Sequence, residues 1–111
     1  MDIQTHTSGA ATVVVLTGKL DTVTAPAFEK RIRDVIGTGA VRLVLDLSAI
    51  DYISSAGLRG LLVMSKLLKE KQGKACLVGV KGNVRSVFEM SGFLTFFRDE
   101  ETVEAAMAAL G

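Results

Sequence analysis

A chain of 111 residues with 13 basic and 12 acidic side chains and a formal net charge of +1 has room for one domain, which we expect to span residues 1–111. The charges are mixed along the chain and form no basic stripe with interleaved aromatics, which argues against a nucleic-acid-binding protein. Apolar residues make up 49% of the sequence, but their longest runs, residues 13–16 and 58–64, are too short to span a bilayer.

The first half of the chain predicts strands around one helix. Residues 10–17 are a β-branched run that ends at a glycine, which predicts a strand, and residues 2–6 are expected to pair with it as a hairpin. Residues 41–47 predict a second strong strand in the middle of a sheet. Between them, apolar side chains at helical spacing predict a helix with a buried stripe of Phe28, Ile32, Val35 and Ile36.

The second half continues the alternation of helix and strand. The predicted elements are a helix over 56–72, a strand over 75–80, a short helix capped by Asn83, a strand over 94–97 and a helix opened by Asp99, Glu100 and Glu101. The buried stripes predicted for the first and last of these helices are Leu58, Leu61, Leu62 and Leu68, and Val103, Ala106, Met107 and Leu110.

The resulting order, β-β-α-β-α-β-α-β-α, predicts an α/β fold. Strands that alternate with helices need crossover connections, so the sheet should be mixed and mostly parallel, with four to five strands and about four helices. The helices are expected mainly on one face of the sheet. The polar residues 1–9 do not form a signal peptide and Cys76 has no second cysteine to pair with, so we expect a soluble cytoplasmic domain.

No catalytic or metal-binding constellation is evident. The only histidine, His6, lies in a polar strand, and Ser55 lacks the glycine two residues earlier that a nucleophile elbow uses. Asp21, Asp46 and Asp51 could meet at one end of the sheet as a magnesium site, but acidic residues at loop starts more often cap turns. We therefore expect no enzyme, no cofactor and no bound metal.

The stretch DYISSAGLRGLL at residues 51–62 places two serines where a strand passes into a helix. Either Ser54 or Ser55 is expected to cap that helix. Gly57 in the first turn costs about 1 kcal/mol relative to alanine, which a close approach of another backbone or of a partner would explain. A phosphate here would meet free amides at the positive end of the helix, so a phosphorylation switch is the alternative to a simple cap.

Three segments carry a resemblance to a known family. Residues 43–62, LVLDLSAIDYISSAGLRGLL, resemble the signature of STAS domains, the fold of the anti-sigma factor antagonists. TGKLD at 17–21 is similar to the family's turn after its second strand, and VRSVFEMSGF at 84–93 is similar to its late helix. The likeness extends over nearly the whole chain, with the three segments in the right order, and the family fold has the β/α order predicted above.

The resemblance implies a partner-switching protein that regulates transcription or a related output. Such an antagonist binds an anti-sigma factor that is also a serine kinase with the histidine-kinase ATPase fold, is phosphorylated by it and dissociates, and a metal-dependent serine phosphatase restores it. The phosphorylated position falls on Ser55. The implied partner-binding residues are Asp21, Thr22, Ser54, Ala56, Gly57, Leu58 and Arg59.

Two alternatives stay open at this point. Ser54 stands where sporulation-type antagonists often carry aspartate, which leaves either serine as the phosphate acceptor. The second alternative is that the chain is a structural or scaffold subunit of a sensory, secretion-control or lipid-transport assembly without a phosphorylation switch, in which Ser55 is only a helix cap. In both cases we expect a monomer, because buried stripes are matched by polar surface and no heptad seam is present.

Overall fold

The computed structural model describes all residues from Met1 to Gly111 and contains five strands and five helices. In chain order these are β1 (Asp2–Ser8), β2 (Ala11–Leu20), α1 (Ala25–Gly37), β3 (Arg42–Ile53), α2 (Ser55–Glu70), β4 (Lys74–Val78), α3 (Gly82–Ser91), α4 (Phe93–Phe96), β5 (Arg98–Glu100) and α5 (Val103–Leu110).

All five strands belong to one sheet, in the order β1-β2-β3-β4-β5. β1 pairs antiparallel with β2, and each later strand pairs parallel with the one before it. The predicted mixed, mostly parallel sheet is therefore confirmed. Because parallel neighbours run in the same direction, the carboxyl ends of β2, β3 and β4 lie at one edge of the sheet, where loops and helix N-termini meet.

Side-chain alternation along the strands separates two apolar faces. On β2, Val14 and Leu16 join a cluster of 20 buried residues that α1, α2 and α3 also enter, and α4 packs against the same cluster. Ala11 and Val13 lie on the opposite face of the sheet, in a cluster of only 7 buried residues to which α5 contributes Ala106 and Leu110. The main core thus lies under the first four helices, in agreement with the expectation that helices lie mainly on one face.

The strand predicted at residues 94–97 is wrong. Residues Phe93–Phe96 form a helical turn instead, and the last strand is the three-residue β5 that follows it. Phe93 and Phe97, four residues apart, bring their ring centroids to 5.9 Å, and Phe93 also meets Phe88 at 5.8 Å. Packing of these rings against the core requires helical spacing and overrides the β propensity of the aromatic run.

The last helix begins later than predicted. Asp99 and Glu100 belong to β5, and an oxygen of Asp99 accepts a hydrogen bond from Nη1 of Arg85 at 3.2 Å. The helix starts after Thr102, whose Oγ1 accepts from the backbone N–H of Ala105 at 3.1 Å. Asp99 and Glu100 are therefore strand residues, and Arg85 is the ion-pair partner of Asp99. The N-cap of α5 is Thr102.

Two smaller predictions about the helices are also wrong. α3 begins at Gly82, so Asn83 lies inside the helix and does not cap it. On α2, Leu62 is exposed and Met64 is buried in its place. The buried stripe starts at Gly57 and continues through Leu61, Met64 and Leu68, a spacing of three to four residues that leaves position 62 to one side.

Candidate functional site

The ends of β2 and β3 position the first turn of α2. Leu20 pairs with Ile53 across the sheet, and its carbonyl oxygen accepts a hydrogen bond from the backbone N–H of Ser54 at 3.0 Å. α2 begins one residue later, at Ser55. The loop that follows β2 and the start of α2 are thereby held side by side at the carboxyl edge of the sheet.

The two adjacent serines have different environments. Ser54 has extended backbone angles, and its Oγ accepts a hydrogen bond from the backbone N–H of Gly57 at 3.3 Å, so Ser54 is the N-cap. Ser55 is the first helical residue; its side chain is exposed and its hydroxyl makes no hydrogen bond within the protein. Ser54 supplies the cap hydrogen bond of α2. The hydroxyl of Ser55 is exposed and forms no hydrogen bond in the turn.

Removing the two hydroxyls should therefore have unequal effects. Ser54→Ala should lower the free energy of unfolding by about 0.5–2 kcal/mol because the Gly57 amide loses its acceptor. Ser55→Ala should change it by less than about 0.5 kcal/mol, as expected for an exposed side chain without partners. Urea unfolding of the two variants and the wild type gives the comparison. Equal losses, or a larger loss at Ser55, would contradict this assignment of the cap.

Gly57 is buried and is required by packing inside the molecule. A Cβ at this position would lie 2.5 Å from the carbonyl oxygen of Leu20 and 2.9 Å from Cγ1 of Ile53. The first turn of α2 thus rests directly on the ends of β2 and β3. Of the two explanations offered for Gly57, the structure shows the close approach of another backbone, that of Leu20, and Gly57 itself is buried.

The loop between β2 and α1 is fixed by Asp21. One oxygen of its carboxylate accepts from the backbone N–H groups of Val23 and Thr24, both at 3.0 Å. Oγ1 of Thr24 in turn accepts from the N–H of Asp21 at 2.9 Å and donates to the carbonyl of Lys19 at 2.8 Å. The hydrogen bond from the Thr24 backbone is the main reason why the pKa of Asp21 lies below its ordinary value. Asp21 therefore acts on the site by holding the loop.

This loop and the end of β3 expose two apolar side chains that were not predicted from the sequence. Val23 is 85% exposed and Tyr52 is 48% exposed. The ammonium of Lys19 lies 5.7 Å from the centroid of the Tyr52 ring and 3.9 Å from Oδ1 of Asp51. The sequence carries little signal for Tyr52, because the buried residues at the end of β3, Ile50 and Ile53, are three positions apart and do not follow strand alternation.

Three segments meet here: the loop between β2 and α1, the end of β3 and the first turn of α2. We refer to their exposed side chains as the Ser55 face. Ala56 and Leu58, in the first turn of α2, are half-buried, and Leu58 packs against the main core. The residues that form the face are Thr22, Val23, Tyr52, Ser55 and Arg59.

The structure does not bring Asp21, Asp46 and Asp51 together as a metal site. Oδ1 of Asp46 accepts from both the backbone and the hydroxyl of Ser48, at 3.0 and 2.6 Å, and Asp51 pairs with Lys19. No group of three or more potential metal-ligating side chains forms anywhere in the chain. The three carboxylates act separately as turn and surface residues. Absence of a bound metal stays a prediction.

His6 and Ser55 are likewise not joined. His6 lies exposed on the edge strand β1, opposite Val13, and no hydrogen bond links it to the serine. His6 is therefore not positioned as a base for the hydroxyl of Ser55.

Residues 2–106 match the STAS domain family. The chain belongs to this family. It is 42% identical over 97 residues to a protein described as an anti-sigma factor antagonist, BtrV of Bordetella bronchiseptica, with 87% of this chain and 84% of BtrV covered. It is 33% identical over 101 residues to the anti-sigma-F factor antagonist RsfB of Mycobacterium tuberculosis, covering 88% of this chain and 80% of RsfB. The resemblance found in the sequence is thereby confirmed.

A solved structure supports the same assignment. The crystal structure of an anti-sigma factor antagonist from Mycobacterium paratuberculosis superimposes with a TM-score of 0.88 at 28% identity, covering 98% of this chain and 92% of that one. Members of this family with such names are binding proteins, generally without enzymatic activity. Within this STAS domain, none of the five helices combines the length and the apolar character needed to cross a membrane.

Proposed function

We propose that this STAS domain is an anti-sigma factor antagonist whose binding to an anti-sigma factor is controlled by phosphorylation of Ser55. The names of its relatives at 42% and 33% identity support the class of protein. The observation that carries the site is the division of labour between the two serines: Ser54 caps α2, whereas the hydroxyl of Ser55 is exposed and unbonded.

Binding in the unphosphorylated state rests on the Ser55 face. Val23 and Tyr52 offer apolar and aromatic contact area, and an exposed aromatic beside a rigid helix terminus is a common anchor in protein interfaces. Ser55 adds a small, exposed and neutral side chain. The partner is an anti-sigma factor, and its release of a sigma factor is the output.

Phosphorylation changes the charge of this face. A phosphoserine carries about −1.5 to −2 charges at neutral pH, on a surface where Ser55 was neutral. At the first residue of α2 the phosphate is close to free helix amides, which favour an anion there. Arg59, four residues further on and without an ion-pair partner, is on the same side of the helix and within reach of the phosphate. The phosphate is thus stabilised within the antagonist, while the surface that the partner binds is no longer neutral.

Two enzymes, a kinase and a phosphatase, complete the proposed cycle. The anti-sigma factor acts as the serine kinase, with an ATPase fold of the histidine-kinase type, and a metal-dependent serine phosphatase removes the phosphate. The STAS domain itself is then substrate and ligand, and it needs no catalytic residue of its own.

Phosphate transfer to Ser55 is the result that tests this proposal. The purified chain is incubated with Mg-ATP and a candidate anti-sigma kinase, and intact mass with peptide mapping locates any phosphate. We expect one phosphate on Ser55, none on Ser55→Ala, and normal phosphorylation of Ser54→Ala. Phosphate on Ser54 would remove Ser55 from its role, and an unmodified chain that still binds the partner would favour the scaffold alternative.

A further inference from the structure

A groove lies at the end of α2 opposite to Ser55. It has a volume of about 440 Å³ and is enclosed by the last turns of α2, the start of β4, the segment from α4 into β5 and the end of α5. Small-molecule sites in proteins typically have volumes of roughly 300–1,000 Å³. The groove therefore has the size of a ligand site, and it shares no residue with the Ser55 face.

The groove has a mixed lining, in which six of the eleven residues are apolar. Leu68 and Leu110 line it together with Phe97, whose ring meets that of Phe96 edge-on with 5.2 Å between centroids. Phe96 also lines the groove and is 61% exposed. The exposed Phe96 ring and the apolar side chains beside it give a ligand an apolar contact surface within the groove.

The charged side chains that line the groove are all cationic. Lys69, Lys74 and Arg98 contribute to the lining, and no aspartate or glutamate does. Nε of Arg98 lies 2.9 Å from Glu100 and is largely neutralised, whereas Lys69 and Lys74 form no ion pair. Two unpaired ammonium groups beside an apolar surface match a ligand with an anionic head and an apolar body.

We propose that this groove binds a medium-chain fatty acid, with its carboxylate at Lys69 and Lys74 and its acyl chain against Phe96 and Phe97. An added peptide strand fits less well, because only Lys74 and Ala75 of β4 extend beyond its pairing with β5, and strands are usually longer than two residues. A second copy of the chain also fits less well. The groove is lined by 11 residues, and a stable protein interface usually has about 20–30 a side.

Decanoate is the probe for this proposal, and decanol is its uncharged counterpart. Titration of the ¹⁵N-labelled protein below the micelle concentration should shift the amides that line the groove, with clearly weaker binding of decanol. The double variant Lys69→Glu/Lys74→Glu should bind decanoate about tenfold more weakly. Lys66→Glu/Lys71→Glu makes the same charge change at exposed positions outside the lining, and should keep wild-type affinity.

Two further variants separate the contributions. Phe96→Ala should weaken decanoate and decanol alike, because it removes apolar contact and no charge. Ser55→Asp should leave decanoate affinity unchanged, since fourteen helical residues place Ser55 about 21 Å from Lys69. The site is thus tested independently of the phosphorylation proposal.

Several results would overturn the fatty-acid site. These are equal binding of decanol and decanoate, equal affinity of the two lysine double variants, and amide shifts outside the groove. A concentration-dependent dimer whose contacts map to Phe96 and Lys74 would also overturn it, because a second copy would then be the occupant.

Discussion

Gly57→Ala should lower the free energy of unfolding by about 1–3 kcal/mol, although alanine is by itself the better helix former. The added methyl would lie 2.5 Å from the carbonyl oxygen of Leu20, an atom of the backbone that no rotamer change can move. α2 must shift away from the ends of β2 and β3, and the hydrogen bond between the Ser54 amide and Leu20 is strained with it.

The matched control is Gly37→Ala, the same chemical change at the end of α1. A Cβ at Gly37 would meet nothing within 4 Å, so this variant should be neutral or slightly stabilising. Urea unfolding of both variants measures the difference. If the two alanine variants were equally stable, the contact between α2 and the sheet would be looser than the structure shows.

Ser55→Asp should separate stability from binding. A carboxylate in the first turn of a helix is favourable by about 0.3–1 kcal/mol, and Ser55 is exposed, so the unfolding free energy should not fall. Affinity for the anti-sigma factor should fall by roughly 1.4 kcal/mol or more, which is at least tenfold, because the anti-sigma factor must bury a carboxylate that it does not itself pair with. A general folding defect would lower both quantities together.

Thermal unfolding and titration calorimetry against the partner give the two numbers for Ser55→Asp. Ser55→Ala is the control, since its methyl keeps the surface small and neutral and should preserve binding. Tight binding by the aspartate variant would show that charge at position 55 does not control the complex.

The sequence predicted most of the fold because its strongest periodic segments coincide with elements that pack on the main core. The residues from 93 to 102 were predicted wrongly because their aromatic rings and acidic side chains have local preferences that tertiary contacts override. Phe93 packs against Phe88 and Phe97, and Asp99 pairs with Arg85, a residue 14 positions away in sequence. Neither contact follows from spacing alone.

The sequence identified the turn that holds Ser54 and Ser55, but it did not identify which serine caps the helix or which side chains around the turn are exposed. Ser54 and Ser55 are equally good capping residues by composition, and only the backbone angles and the hydrogen bond to Gly57 distinguish them. Gly57 is explained by Leu20, a contact between segments far apart in the chain. Val23 and Tyr52 are ordinary loop and strand residues in the sequence, and the fold leaves both of them exposed.

We expect phosphate on Ser55 to set the affinity for the anti-sigma factor. The most direct measurement is titration calorimetry of the wild-type chain against that partner, before and after stoichiometric phosphorylation confirmed at Ser55 by mass spectrometry. Tight binding of the unmodified protein and at least tenfold weaker binding of the phosphorylated protein, restored by phosphatase treatment, is the predicted result. Equal affinity of the two forms would contradict it.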